Sequence, residues 1–236
     1  MFGLSLSAPV TAALILASGA TTCGAEKDFR TYVNLVRTMP DVVYDTTRTK
    51  KYLTENHQQI IDNWKSKHED HVWASEELHI GGLARGGIGV SAQVKMRGEH
   101  LDRYGIYWCP YVERVDIEIF YATTIFIPKE TMKNACEVAL VNKHELGHHE
   151  INLGVVNKYA AKLRKDLNYM VAYLEKDYVK RHELKKRFRE VQTGLSDAIE
   201  VYGAYMRQDM EKLNGHHDRP EEYERMARET LKCYQK

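Results

Sequence analysis

Two histidines and a glutamate in the middle of the chain have the spacing of a zinc-binding helix. His144, Glu145 and His148 form the pattern H-E-x-x-H within VNKHELGHHEINLG, residues 141–154. Histidines four residues apart lie on the same face of a helix, so their imidazoles can bind one zinc ion. Glu145 lies beside them and can take a proton from the water that zinc activates. The motif therefore predicts His144 and His148 as metal ligands and Glu145 as the general base of a hydrolase.

A catalytic zinc site also needs a third protein ligand and an open fourth position. The compact form of the motif, H-E-x-x-H-x-x-G-x-x-H, would place glycine at residue 151 and histidine at residue 154. The sequence has Ile151 and Gly154 instead, so that class is excluded. The third ligand must come from further along the chain.

Asp209 is the first choice for the third ligand. It continues an apolar stripe of a second long helix after Met206, where a buried carboxylate would need a partner. A hairpin of the two helices would also bring His144 and His148 opposite residues 208–214. The alternatives for the third ligand are His216, His217 and Glu200. Without a metal, Asp209 would instead form a structural salt bridge to the first helix.

The hydrophobic pattern divides the chain into two parts. Residues 26–128 are mixed and rich in strands, with a clear alternation at Val115, Ile117, Ile119 and Tyr121. Residues 129–236 are helical, with a long helix that carries the motif, a turn near residues 177–181, and a second helix over about residues 183–213. This order predicts an α+β fold, in which a small antiparallel sheet packs on the long helix and on the second, antiparallel helix.

Residues 1–25 predict a secretory signal peptide. They contain no charged side chain, and their apolar part is too short to span a bilayer. Cleavage is expected after Ala20 or Ala25, and Cys23 is a poor site for lipid attachment because Thr22 precedes it. The mature protein is therefore expected in the periplasm or outside the cell, without a stable membrane span.

The charge balance excludes one group of partners. The formal net charge is +1, and no block of lysines or arginines occurs. A nucleic acid or an anionic membrane surface would need such a block, so neither is expected as a partner.

Three cysteines would remain after cleavage of the signal peptide. Export makes a disulfide plausible, and a bond between Cys109 and Cys136 would tie the strand-rich part to the helix. Cys233 would then be left over. The alternative is that all three are buried thiols.

Four segments resemble a group of bacterial secreted proteins regarded as zinc-dependent proteases. The segments are PDVVYDTTRTKKYLT, WCPYVERVDIEIFYATTIFIPKET, ACEVALVNKHELGHHEINL and HHDRPEEYERM, and the resemblance covers roughly Asp41 to Cys233. It implies one zincin-like domain over residues 26–236, the metal and base roles of the H-E-x-x-H residues, and pairing of Cys109 with Cys136. A related set has His-Gly near the chain end, where this chain has LNGHHD, so the third ligand stays open.

The pattern and the resemblance together predict a secreted zinc metallopeptidase with Zn²⁺ as cofactor and a peptide or protein as substrate. The alternative is a secreted module in which zinc stabilises the fold without catalysis. A third possibility is a structural protein in which the motif occurs by chance.

Overall fold

The computed structural model describes Cys23 and residues 31–70, 78–174 and 177–235. The strands are β1 (Tyr32–Thr38), β2 (Val43–Asp45), β3 (Leu83–His100), β4 (Tyr107–Phe126) and β5 (Val179–Lys180). The helices are α1 (Lys50–Asn56), α2 (Gln58–Lys67), α3 (Ala135–Leu174), α4 (Leu184–His217) and α5 (Pro220–Cys233). The fold is α+β: four of the five strands precede the long helices, and the short β5 lies between α3 and α4.

The five strands form a mixed sheet, so the expectation of an antiparallel sheet is wrong. The central strand β4 pairs with β3 along its length and with β5 at its start, in both cases antiparallel. On the other edge of β4, β1 and then β2 pair with it in parallel. Alternation along a strand shows which side chains face the core, but it carries no information on strand direction, which the connections determine.

The inner face of the sheet forms the main core. The predicted alternation along β4 is confirmed, because the side chains of Val115, Ile117, Ile119 and Tyr121 are buried. Between them, Glu118 and Phe120 are exposed on the outer face. The inner residues pack against the apolar stripes of α3 and α4, so one sheet face carries both long helices.

Helices α3 and α4 form an antiparallel pair. Lys162 of α3 donates a hydrogen bond to the hydroxyl of Tyr202 at 3.0 Å, and His148 contacts Asn214 at 2.9 Å. The earlier residue of α3, His148, contacts the later residue of α4, Asn214. The two helices therefore run in opposite directions, as the sequence predicts. With 40 residues, α3 is about 60 Å long, and this pairing fixes which part of α4 faces the H-E-x-x-H motif.

Two disulfides join distant parts of the chain, and the predicted bond between Cys109 and Cys136 is wrong. Cys109 of β4 is bonded to Cys23, and Cys136 of α3 is bonded to Cys233 at the end of α5. Cys233 is therefore not left over. The pairing follows from the spatial neighbours of each strand and helix end, which sequence spacing does not give.

The Cys23–Cys109 bond bears on the expected cleavage of the signal peptide. Of the two expected cleavage points, the one after Ala20 keeps Cys23 in the mature chain, and the one after Ala25 removes it. The rest of the predicted signal peptide lies outside the described residues. The signal peptide and the single domain over residues 26–236 stay predictions.

In the described part of the chain, no helix has both the length and the hydropathy needed to cross a membrane.

Candidate metal centre

The H-E-x-x-H residues lie in the third and fourth turns of α3, beneath the turn between α4 and α5. His144 is 6% exposed and Glu145 is 5% exposed. The rings of His144 and His148 lie with their centroids 4.9 Å apart and nearly perpendicular to one another. Both imidazoles therefore point to the same side of the helix, as the motif requires.

His217, at the end of α4, completes a group of three histidines. One ligand atom from each of His144, His148 and His217 lies within 4.8 Å of the other two, so the group could hold a metal ion. The ring of His217 stacks on that of His144 with centroids 4.5 Å apart. Its Nε2–H donates to the main-chain oxygen of His144 at 3.0 Å, which leaves Nδ1 as the lone-pair nitrogen.

Gly147 provides the space in which His217 lies. A Cβ atom at residue 147 would come within 2.6 Å of His217 Nε2. A side chain here would push the imidazole off the helix, so the glycine inside H-E-x-x-H is a requirement for the third histidine.

The other candidates for the third ligand are not part of the cluster. Asp209, the first choice, accepts hydrogen bonds from Lys158 Nζ at 2.7 Å and from the Tyr159 hydroxyl at 2.9 Å. It is thus a salt-bridge residue on the rim of the helix pair. Glu200 and His216 are exposed on the surface of α4.

The phase of α4 explains why His217, and not Asp209, lies in the cluster. After Met206 the buried stripe continues four residues on, at Met210, and then reaches Asn214 and His217. The sequence interpretation took the step of three to Asp209. Leu213, which would have continued that stripe, is 42% exposed.

Asp218 is a further candidate ligand that the sequence interpretation missed. Its Oδ1 lies 3.2 Å from Nε2 of His144 and 3.0 Å from Nε2 of His148. Donor atoms around a tetrahedral zinc ion with bonds near 2.0–2.1 Å are about 3.3 Å apart. Each of these two distances is therefore compatible with ligands of one ion, while the group of described side chains whose donor atoms all lie close together consists of the three histidines. The sequence signal that could have indicated Asp218 is the run His216-His217-Asp218, which directly precedes Arg219 and Pro220 at the start of α5.

Unpaired buried atoms show that the cluster fits a metal ion. In the part of the chain that the structure describes, Asp218 Oδ1 and His144 Nδ1 are buried and lack a hydrogen-bond partner. The two contacts of Asp218 with the imidazoles thus have the distance of hydrogen bonds but not their geometry. Because buried polar atoms normally have partners, a cation bound among these donors would provide one for the carboxylate oxygen.

A chain of amides orients His148. Its Nδ1–H donates to Asn214 Oδ1 at 2.9 Å, and Asn214 Nδ2 donates to Asn152 Oδ1 at 2.9 Å. Asn152 in turn donates to the Tyr121 hydroxyl at 3.0 Å. With Nδ1 protonated, Nε2 is the lone-pair nitrogen on the side of the cluster, which is the tautomer that a metal needs.

The electrostatics of the cluster couple metal binding to protons. Burial would lower the pKa of His148, but the Asp218 carboxylate outweighs burial and raises the pKa to about 9. Burial likewise favours protonated Asp218, yet the two imidazoles hold the pKa of that carboxyl group well below its usual range. Burial lowers the pKa of His217, which keeps this ring neutral. A metal ion must therefore displace the proton of His148.

Glu145 is a buried carboxylate on the strand side of the cluster. Burial raises its pKa, and the neighbouring imidazoles of His144 and His148 oppose this only in part. The main-chain N–H of Ala84, at the start of β3, donates to it. A Cβ atom on Gly82 would lie 2.8 Å from Glu145 Oε1, so the chain entering β3 passes directly over this carboxylate.

Helix α5 adds a tyrosine beside the histidines. The ring centroid of Tyr223 is 5.8 Å from that of His144. Burial, together with the carboxylates of Asp218 and Glu145, raises the pKa of Tyr223 well above its usual value. The phenol therefore keeps its proton and is a hydrogen-bond donor at the edge of the cluster.

No family model, curated protein or solved structure matches the chain. The resemblance to secreted zinc-dependent proteases therefore depends on the sequence segments alone.

Proposed function

We propose that the protein is an exported zinc metallopeptidase that hydrolyses peptide bonds at the His144, His148 and His217 cluster. Three imidazoles are a donor set that suits zinc. Export is supported by the two disulfides, since such bonds persist in oxidising compartments.

The observation that carries the proposal is the buried carboxylate of Glu145 next to the cluster. A clamp that only stabilises a fold needs ligands, and it has no use for a further buried acid. Burial costs a carboxylate free energy and raises its pKa, which brings the group closer to the working range of a general base.

Each residue of the site would have its own role in the hydrolysis of a peptide bond. His144, His148 and His217 would hold zinc, which when bound lowers the pKa of water and polarises a carbonyl group. Glu145 takes the proton of the attacking water and gives it to the leaving amine. Tyr223 stays protonated and hydrogen-bonds to Asp218, and by exchanging this partner it could donate to the oxygen on which negative charge develops.

The free edge of β3 offers a place for the substrate backbone. Among the described strands, β3 pairs only with β4, so no described strand occupies its other edge. The N–H of Ala84 that reaches Glu145 lies on this edge. An extended peptide that adds to the edge would therefore pass the general base.

One observation favours the second candidate function, a zinc clamp without catalysis. If Asp218 binds the ion together with the three histidines, the coordination is complete and no position is open for water. In that case zinc would fix the α4–α5 turn to α3 and do nothing else.

Substitution of Glu145 separates the two functions. Glu145→Gln is expected to keep zinc and the fold, and to reduce cleavage of casein by at least about a hundredfold, because only the base is removed. Equal cleavage by wild type and variant would contradict the proposal. If wild type cleaves nothing in a broad peptide library and Asp218→Asn releases the zinc, the clamp is supported instead.

A further inference from the structure

A groove beside the metal cluster has an unusual charge. A cavity of about 480 Å³ lies between the start of β3, α2 and α4, and Arg85 and Arg207 line it. A second cavity of about 320 Å³ adjoins it, since Arg85 and His57 line both, and Arg48 lines the far end. Together they form what we call the arginine groove.

No acidic side chain occurs among the described residues that line the groove. Arg48 has a partner, because its Nε lies 3.5 Å from Asp45 Oδ2. Arg85 and Arg207 form no salt bridge with any described residue. Both are exposed, so the groove presents two guanidinium groups that are not neutralised.

The groove borders the proposed active site at two residues. Ala84 lines the larger cavity, and its N–H binds the Glu145 carboxylate. Asn214 lines it as well and holds His148 through Nδ1. Neither Glu145 nor His148 lines the groove itself, so a ligand in the groove would be separated from the general base and from this histidine by Ala84 and Asn214.

Gly86 keeps the groove deep. A Cβ atom at this position would lie 2.9 Å from a ring carbon of Tyr121, which forms part of the floor. Glycine within a strand often marks a place where another backbone approaches closely. Gly87 and Gly89 follow in the same strand, and a Cβ on either would meet nothing within 4 Å.

We propose that the arginine groove binds a carboxylate group of the peptide substrate through Arg85 and Arg207. Guanidinium groups bind carboxylates with paired, charge-assisted hydrogen bonds, and an uncharged substrate would leave both cations without a partner. This inference rests on the proposed peptidase function and names its substrate class: peptides with a carboxylate close to the scissile bond. The carboxylate comes either from an aspartate or glutamate side chain or from the chain terminus.

Binding to the Glu145→Gln variant tests the inference without any need for cleavage. Three fluorescent peptides of equal length are compared by anisotropy. One contains glutamates and has an amidated C-terminus, one has glutamines at those positions and an amidated C-terminus, and one has the same glutamines and a free C-terminus. The glutamate peptide or the free-terminus peptide is expected to bind about tenfold more tightly than the neutral one. The stronger of the two identifies the source of the carboxylate.

Two double variants with the same change in net charge show whether the arginine groove causes the preference for carboxylate peptides. Arg85→Gln with Arg207→Gln is expected to remove the preference. Arg103→Gln with Arg189→Gln changes the net charge equally, at exposed positions outside the groove, and is expected to keep it. Because all four arginines are exposed, both double variants should fold with unchanged thermal midpoints.

Three results would overturn the inference: equal affinity for all three peptides, no measurable binding of any, or an equal loss in both double variants. Each differs from failure of the proposed function, which is read from zinc content and casein cleavage by wild type. If the protein prefers carboxylate peptides but cleaves no substrate, the inference about the arginine groove is supported and the proposed peptidase function is contradicted.

Discussion

The imidazole of His217 donates a hydrogen bond of 3.0 Å to the main-chain oxygen of His144. The third histidine is thus fixed to the backbone of the helix that carries the first. This contact is possible because residue 147, which lies next to the imidazole, has no side chain.

Gly147→Ala is therefore expected to weaken metal binding although it removes no ligand. Its Cβ would lie 2.6 Å from His217 Nε2 and displace the ring. Isothermal titration with zinc should show a loss of at least about tenfold in affinity.

Gly154→Ala is the matched control on the same helix. A Cβ at this position meets nothing within 4 Å, so it should leave zinc affinity unchanged. It should raise the free energy of unfolding by about 0.5–1 kcal/mol, as usual for this change in a helix. If both variants bind zinc like wild type, His217 does not depend on Gly147.

Asn214→Ala tests whether the amide chain positions His148. Without Asn214 Oδ1, the Nδ1–H of His148 loses its acceptor and the ring can rotate or change tautomer. Loss of such a partner typically reduces metal affinity by about 10–100-fold. Gln208→Ala, at an exposed position of α4, is the control and should have no effect. Equal zinc affinity of the two variants would mean that His148 is held by packing alone.

The Cys136–Cys233 disulfide should support the metal centre from a distance. It fixes the end of α5 to the start of α3, with His217 and Asp218 just before α5. Replacing both cysteines with serine is expected to lower the free energy of unfolding by about 2–4 kcal/mol and to weaken zinc binding. The same change at Cys23 and Cys109 should lower stability without changing the zinc affinity of folded protein. Equal zinc affinity in both double variants would show that α5 needs no such fixation.

The sequence predicted the parts of the site that depend on local periodicity. The spacing of His144 and His148 placed both rings on one helix face. The predicted hairpin brought only the end of the stretch 208–214 to the motif, because His148 contacts Asn214 and His144 contacts His217. These features depend on helix geometry alone, which the sequence expresses directly.

The third ligand could not be derived in the same way. From Met206 a helical stripe can continue after three residues, at Asp209, or after four, at Met210, and only packing decides. Asp209 forms a salt bridge with Lys158 of α3, which is the structural role that the sequence also allowed. Asp218 lies beyond the helix, in a turn whose direction no periodic pattern describes.

Strand direction and cysteine pairing depend on the path of the whole chain. β1 joins β4 in parallel, and Cys23 reaches Cys109 across 86 residues. These connections also make the strand with Ile117 and Ile119 central, so that β3 has the edge without a strand partner among the described strands.

The central claim is that His217, and not Asp209, completes the metal site with His144 and His148. Zinc content after purification without chelators tests it most directly, with wild type, His217→Ala and Asp209→Asn prepared in parallel. We expect about one zinc ion per chain in wild type and in Asp209→Asn, and well under half of that in His217→Ala. Full zinc content in His217→Ala together with its loss in Asp209→Asn would contradict the account.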